Sequence, residues 1–328
     1  MAKARSTQAK LDRLKQLRDA PASAELLREL RALLADRSNF VVAEAAAIVG
    51  KAHLADLDKD LVAAFERFLI EPEEADKLCA AKMAVVEALE QIDYGEAAVF
   101  LAGVRHVQLE PAWGGSQDTA APLRAACAAA LVRIDYPDVL TLLVDLLADA
   151  EKIARAGAVR ALVGTGSTAA PLLLRLKARA GDAESEVTGE CLTGLLRLEP
   201  AAGVPFVAEF LEARDVAIQE VAVMALAESR RPEAFAVLKA FWEGYVPEDL
   251  REIVLMALAI MRLPAATDYL MSLVADAPPK TAAMAISALA MHRYDERLRE
   301  RIAAVVTHRS DKNLHSLFER KFRLREEQ

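Results

Sequence analysis

Aromatic side chains are scarce in this sequence of 328 residues. Phe, Trp and Tyr together make up 5% of the chain, although apolar residues make up 54%. The core must therefore be filled by alanine, leucine and valine, which suits closely packed helices. A β-sandwich instead needs β-branched and aromatic residues on its inner faces. The composition thus predicts an all-α fold without a β-sheet.

The sequence also lacks segments that direct a chain into or across a membrane. No apolar run approaches the ~18 residues of a membrane-spanning helix. The N-terminal residues 1–7 are polar and do not resemble a secretory signal. Three cysteines without a spacing pattern fit a reducing compartment. We therefore expect a cytoplasmic protein that makes no membrane contact.

Catalytic and metal-binding motifs are missing as well. The five histidines never lie three or four residues apart, and none is followed by glutamate. A zinc site on helices needs such closely spaced ligands. Residues 164–168 are rich in glycine, threonine and serine, but they lack the lysine and the preceding strand of a phosphate-binding loop. The sequence therefore predicts no catalytic residue, no cofactor and no metal.

Basic side chains are in the minority, and they concentrate at the two ends of the chain. Residues 1–37 carry nine Lys or Arg against five Asp or Glu, and residues 293–328 carry ten against seven. Because the whole chain has a net charge of −8, the residues between these ends carry −15. Such an acidic body repels phosphate groups. We therefore do not expect nucleic acid as a partner.

A short pattern recurs along the chain, in which a small residue precedes an aliphatic one. A spacing near 31 residues accommodates two helices of about three turns each, joined by short turns. Each such pair has one wide apolar face that only a neighbouring pair can cover. The pattern thus predicts an α-α superhelix of about nine helix pairs. The recurring aliphatic residues are Val49, Leu89, Leu131, Leu162, Leu195, Leu226, Leu258 and Leu289.

The repeat resembles the HEAT family, particularly its short form known from phycobilin-lyase-like proteins. In that family the second helix begins with an apolar residue and arginine, followed by small residues and Ala-Leu. The resemblance covers roughly residues 20–325 and implies an α-solenoid, but no particular function. The basic position, seven residues before the aliphatic one, is filled by Lys82, Arg124, Arg155 and Arg251, whereas other copies have Thr188, Gln219 and Ala282.

The repeats predict a single solenoid over residues 1–328. We expect residues 1–7 to be disordered, residues 8–37 to form an N-terminal cap region, and residues 293–328 to form a C-terminal capping repeat. Charged end regions are typical of the outermost faces of a repeat stack, because these faces meet solvent.

One segment, residues 107–121, interrupts the otherwise economical repeat. It carries Trp113 beside two glycines. Loops that interrupt a repeat tend to carry function, so Trp113, Glu110 and Asp118 are candidate partner-binding residues. Alternatively, Trp113 folds back to cover the helices and Asp118 caps the following helix. The sequence leaves both readings open.

Charged residues also recur on the second helices, which line the concave surface of such solenoids. A ladder with one charged side chain per repeat can bind an extended partner, although any solvated helix face carries similar charges. The candidates are Arg124, Arg155, Arg160, Glu190, Glu220, Arg251 and Glu252.

The leading hypothesis is therefore a non-enzymatic scaffold or adaptor that binds a protein partner. The contact would be made by the concave face, by residues 107–121, or by both. A second hypothesis is a HEAT-like DNA glycosylase or another enzyme acting on nucleic acid, which the acidic body and the few aromatics disfavour. A third is a chromophore-lyase-like protein or a regulatory partner of an enzyme. The sequence specifies neither the partner nor the oligomeric state.

Overall fold

A computed structural model describes residues 2–309 and 311–323 of the chain, with side chains from residue 7 onward. Helices make up 75% of the structure. The chain divides into two compact units, residues 1–170 and residues 171–328. The predicted all-α fold of the helical-repeat class is confirmed, with the exception of one small hairpin.

Unit 1 contains a lead helix and four helix pairs. The lead helix is α1 (Ala2–Leu17), and residue 1 lies outside the described residues. The pairs are α2 (Ala24–Leu34) with α3 (Asn39–Lys51), α4 (Asp58–Arg67) with α5 (Pro72–Ala75) and α6 (Ala80–Gln91), α7 (Ala97–Val104) with α8 (Ala121–Arg133), and α9 (Val139–Leu147) with α10 (Lys152–Gly164). Short 3-10 turns precede α4 and α6, over Ala55–Leu57 and Lys77–Cys79.

Unit 2 contributes five further pairs, so the described residues hold the nine pairs that the repeat predicts. These are α11 (Ala170–Ala180) with α12 (Ser185–Leu198), α13 (Gly203–Ala208) with α14 (Val216–Ser229), α15 (Pro232–Glu243) with α16 (Glu248–Ile260), α17 (Pro264–Asp276) with α18 (Pro279–Leu289), and α19 (Glu296–Arg309) with α20 (Lys312–Phe322). Single 3-10 turns extend α13 over Glu209–Glu212 and α18 over Ala290–His292.

The expectation that the chain has no β-sheet is wrong at one place. Strands β1 (Leu109–Ala112) and β2 (Gly115–Asp118) pair antiparallel within residues 107–121. Only Trp113 and Gly114 connect them, and Gly114 has a φ of +93°. Glycine adopts this left-handed conformation without the steric cost that a side chain brings, which permits so tight a turn.

The recurring aliphatic residue lies at the centre of each pair's core. All eight copies, from Val49 to Leu289, are fully buried. Burial of one such side chain contributes about 1.5–3 kcal/mol. Small residues beside it allow neighbouring second helices to approach closely. A Cβ atom added to Gly157 of α10 would lie 2.3 Å from the Cβ of Ala125 in α8.

In four pairs, the residue seven positions before the aliphatic one closes the first helix of its pair. The carbonyl groups at the end of a helix lack partners within the helix, and this side chain donates hydrogen bonds to carbonyls at the end of that helix or just beyond it. The donors and acceptors are Lys82 to the carbonyl of Phe68 (3.1 Å), Arg124 to that of His106 (2.8 Å), Arg155 to those of Asp149 and Ala150 (2.9 and 2.7 Å), and Gln219 to that of Leu211 (2.9 Å).

Two pairs have an apolar residue at this position and use an arginine of the following pair instead. Val42 occupies the position in the first pair and Ala282 in the eighth. The substitutes, Arg67 and Arg309, are each the last residue of the next pair's first helix. Arg67 donates to the carbonyls of Leu34 and Asp36 (2.8 and 3.1 Å), and Arg309 to those of Val274 and Ala275 (2.8 and 3.1 Å).

Candidate partner-binding site

The tip of the hairpin stands clear of the helices. The side chain of Trp113 has 108% of its reference accessibility. A Cβ atom added to Gly114 or Gly115 would meet no heavy atom within 4 Å. The alternative in which Trp113 folds back to cover the helices is therefore wrong. The other tryptophan, Trp242, is buried in α15.

The base of the hairpin is anchored by the buried carboxylate of Glu110. Its Oε1 accepts hydrogen bonds from the main-chain N–H of Leu78 (2.6 Å), from Nε2 of Gln108 (2.7 Å) and from Oγ1 of Thr119 (2.7 Å). Burial alone would raise the pKa of Glu110, but these hydrogen bonds hold it below its usual value. The carboxylate is therefore ionised at neutral pH, where it stabilises the hairpin base.

Gln108 joins the hairpin to the turn that precedes α6. Its side chain is buried, and Nε2 donates to the carbonyl of Asp76 (2.8 Å). Its Oε1 accepts from the thiol of Cys79 and lies within hydrogen-bonding distance of Nε2 of His106, at 3.2 Å in each case. The hairpin thus forms part of a buried hydrogen-bond network within unit 1.

That turn contains the most strained backbone near the hairpin. Leu78 and Cys79 are consecutive residues with positive φ, +59° and +53°, a conformation that costs a non-glycine residue about 1–2 kcal/mol. Asp76 and Lys82 on either side form a fully buried ion pair (3.1 Å). Because Glu110 accepts from Leu78, the hairpin helps to hold this turn, and the Leu78 side chain is left 69% exposed.

Asp118 connects the end of the hairpin to the start of α8. Its Oδ1 accepts from the main-chain N–H groups of Gln108 (3.0 Å) and Ala120 (2.9 Å), and its Oδ2 accepts from Arg124 (2.7 Å). Burial would raise the pKa of Asp118, but these partners lower it. Asp118 does not cap α8 as predicted, because the N-cap residue is Ala120 and no described side chain accepts from the first turn of the helix.

Arg124 and Arg155 were candidates for partner binding, and both are buried in unit 1. Arg124 pairs with Asp118 and with Asp149, and Arg155 donates to carbonyls after α9. Sequence reasoning named Asp118 but missed the ion pairs that aspartates form with the basic residues of the repeats. Asp76, Asp118 and Asp149 each lie six residues before the basic residue of their repeat, and this spacing was the signal that could have revealed them.

The remaining candidates lie nearer the surface of the second helices. Arg160 of α10, Glu220 of α14 and Glu252 of α16 are exposed, and Glu190 of α12 is half-buried. Glu220 and Glu252 share one register, six residues before the repeat's leucine, whereas Glu190 lies five residues before it. The acidic ladder in unit 2 is therefore in register only on α14 and α16.

Arg251, the last candidate, packs against its own helix pair. Its guanidinium carbon lies 4.6 Å from the ring centroid of Trp242, a distance at which a cation is attracted to an aromatic face. Arg251 occupies the basic position of its repeat. Its stacking on α15 holds the two helices of the pair together and leaves the side chain half-buried.

The three cysteine thiols are buried. Burial raises the pKa of Cys79 to about 11 and that of Cys191 to about 12, and it also raises the pKa of Cys127. Because the thiolate is the reactive form, these side chains are poor nucleophiles at neutral pH. Among the described residues, no group of three or more His, Cys, Asp or Glu side chains is arranged to hold a metal ion.

Within the part of the chain that the structure describes, no helix has the length and apolar character needed to cross a membrane.

A comparison with protein families identifies part of unit 2. The family model for HEAT repeats matches residues 204–290. This part of the chain is similar to HEAT repeats. The matched range contains α14 to α18, and the resemblance inferred from the Ala-Leu pattern and the basic position is confirmed there.

Solved structures with a similar backbone include an engineered protein from a structural genomics consortium and a natural complex. The engineered protein is 19% identical to this chain. The match covers 96% of this chain and 93% of the engineered one, with a TM-score of 0.40. The other structure is the complex of CpcE and CpcF of phycocyanin lyase from Nostoc sp. PCC7120. Its matched chain is 17% identical, and the match covers 89% of this chain and 96% of that one, with a TM-score of 0.36. No curated protein matches the sequence.

Proposed function

We propose that this chain is a non-enzymatic, cytoplasmic scaffold or adaptor that binds a protein partner through the hairpin of residues 107–121. The observation that carries the proposal is the placement of Trp113. Its side chain is fully exposed at the tip of a hairpin whose base is held by hydrogen bonds that Gln108 donates to Glu110 and Asp118.

Such an arrangement favours binding for two energetic reasons. A tryptophan buries about 150–250 Å² when it is covered, and tryptophan is enriched among the few residues that dominate binding energy. The anchored base also orders the hairpin before binding, which reduces the entropy lost when a partner docks. Trp113 makes no packing contribution to folding that would otherwise account for its presence.

Further apolar side chains surround the base of the hairpin. Val107 and Leu109 of the hairpin are exposed, and so is Leu78 of the turn that Glu110 holds. Exposed apolar patches mark interaction sites more often than isolated apolar residues do. We place Trp113 at the centre of the proposed contact and these three residues at its edge.

Charged residues have two different parts in the proposal. Glu110, Asp118 and Arg124 hold the base of the hairpin, and Arg155 stabilises the next helix pair, α9 and α10. The second-helix surface would supply additional polar contacts to the partner within each unit. In unit 1 this residue is Arg160, and in unit 2 the residues are Glu190, Glu220, Arg251 and Glu252.

Affinity capture from extracts of the native host, followed by quantitative mass spectrometry, tests the proposal. The full chain, Trp113→Ala and Tyr245→Ala are immobilised in parallel. Tyr245 is an exposed aromatic of unit 2 and serves as the matched control. We expect at least one protein that the wild type and Tyr245→Ala retain, but whose recovery falls ~30-fold with Trp113→Ala. Identical sets captured by all three chains would contradict the proposed anchor.

A further inference from the structure

A groove near the end of unit 2 brings several basic side chains together. It lies between the starts of α17 and α19 and has a volume of about 700 Å³, within the range of ~300–1,000 Å³ found for small-molecule sites. Its basic side chains are Arg262, Arg297, Arg301 and His292.

Two of these arginines have no ionic partner in the described structure. Arg301 donates to Asp268 (2.6 Å), but neither Arg262 nor Arg297 forms an ion pair or a side-chain hydrogen bond with any described residue. Asp295, the second carboxylate of the groove, accepts from the main-chain N–H of Leu298 (3.1 Å) at the start of α19. Both carboxylates therefore have partners within the fold, whereas two guanidinium groups remain available.

His292 adds an oriented ring to the same surface. Its Nε2 lies 2.9 Å from the carbonyl oxygen of Ala259. A carbonyl oxygen can only accept a hydrogen bond, so this nitrogen carries the proton. The ring is thus fixed against the end of α16, and its remaining edge contributes to the wall of the groove.

Part of the groove's lining is apolar. Met291, Tyr294 and Pro264 line it, and the side chain of Tyr294 is 74% exposed. The guanidinium carbon of Arg293 lies 5.1 Å from the centroid of the Tyr294 ring, which places another cation beside the groove. Basic and apolar surfaces therefore meet in one concavity.

We infer that this groove binds a small organic anion, a carboxylate or a phosphate monoester with an apolar body. The charged group is held by Arg262 and Arg297, because the planar guanidinium fork matches carboxylate and phosphate oxygens. The apolar body lies against Tyr294 and Met291. This inference is independent of the hairpin and of the proposed protein partner.

Isothermal titration calorimetry of the full chain with phenyl phosphate tests the inference at about 50 mM salt, where ionic contacts are weakly screened. We expect a Kd below about 1 mM for the wild type. Arg262→Ala and Arg297→Ala should each weaken binding ~10-fold or more, since each removes a charge-assisted contact. Inorganic phosphate and phenol, which supply only the charge or only the ring, should each bind at least ~10-fold more weakly.

Arg230→Ala is the matched control. Arg230 follows α14 as Arg262 follows the last turn of α16, and its φ of +51° is close to the +54° of Arg262, but Arg230 does not line the groove. Its substitution should leave affinity unchanged, and circular dichroism should show all variants folded. Absence of binding at about 10 mM phenyl phosphate, an equal loss with Arg230→Ala, or equal affinity for inorganic phosphate would each overturn the inference.

Discussion

The guanidinium of Arg124 in α8 forms a two-point ion pair with Asp149, the residue before the turn into α10. Its Nε and Nη2 lie 2.8 Å from Oδ2 and Oδ1 of the carboxylate. Asp149 also accepts from the main-chain N–H of Glu151, and the third guanidinium nitrogen of Arg124 donates to Asp118. One side chain therefore connects the starts of two consecutive second helices with the end of the hairpin.

Arg124→Ala should destabilise the chain by about 3 kcal/mol. The substitution leaves Asp118 and Asp149 as largely buried carboxylates without their cation, and loss of one partner of such a pair is costly. Urea unfolding followed by circular dichroism measures the change. Arg105→Ala, an exposed arginine after α7, should stay within about 0.5 kcal/mol of wild type. Equal stability of both variants would contradict this account of Arg124.

Trp113→Ala should leave the stability of the chain unchanged within about 0.5 kcal/mol, because its side chain contacts solvent and not the core. Trp242→Ala, at the buried tryptophan, should cost about 3–5 kcal/mol. Thermal unfolding of both variants beside the wild type makes the comparison. A large loss of melting temperature for Trp113→Ala would show that the tryptophan packs on the protein.

Glu110→Gln should destabilise the chain at pH 7, by about 1.5–3 kcal/mol, because three donors lose an ionised acceptor. The pKa of Glu110 is lowered in the folded state, so its contribution is present above the unfolded pKa of about 4.3 and is lost as pH falls through the folded pKa. Denaturant unfolding of both chains between pH 7 and pH 3 should therefore show a difference that shrinks below about pH 4. A difference that stays constant with pH would exclude an ionic origin.

Gly157→Ala should destabilise unit 1 by about 1–3 kcal/mol, because the added Cβ would overlap Ala125 of the neighbouring helix. Gly164→Ala in the same helix provides the control. There the added Cβ would lie 3.6 Å from Cγ1 of Val132, an ordinary contact. Alanine also has the higher helix propensity, so the control should be neutral or slightly stabilising in chemical denaturation. The reverse order of the two variants would contradict the close approach of α8 and α10.

Duplex DNA should bind weakly, with a Kd above about 10 μM at about 0.15 M salt. The acidic middle of the chain neutralises few phosphates and so releases few counterions from the DNA. Fluorescence anisotropy with an unrelated labelled duplex measures this. A sub-micromolar Kd that persists after the basic residues of 1–37 and 293–328 are replaced by uncharged residues would overturn this prediction.

Sequence reasoning predicted the helix pairs because their signal is repeated. Eight aliphatic residues share one register, so an error at one copy does not alter the pattern. The hairpin has no such support. Its strands span four residues each, and they contain neither β-branched residues nor a strict alternation. A strand of that length is decided by its turn and by the buried bonds of Glu110, which sequence spacing does not reveal.

The contacts of the arginines were harder to predict from the sequence than the helix pairs. Arg124 and Arg155 were recognised by their position in the repeat, but position alone does not tell whether a side chain points to a partner or to a nearby helix end. The answer depended on two further features, the aspartate six residues earlier and the carbonyls at the end of the first helix. The first is visible in the sequence, whereas the second appears only when the helices are packed.

The arginines at the ends of α4 and α19 each link a helix pair to the pair that precedes it. Arg67 and Arg309 each close a helix of the pair that precedes them, so the end of that helix depends on the later pair. A chain cut after α18 would lose the ninth pair and, with it, the hydrogen bonds that finish α17. Local unfolding that starts at the C-terminal end of unit 2 would therefore extend into the eighth pair. The last helix pair thus stabilises its neighbour.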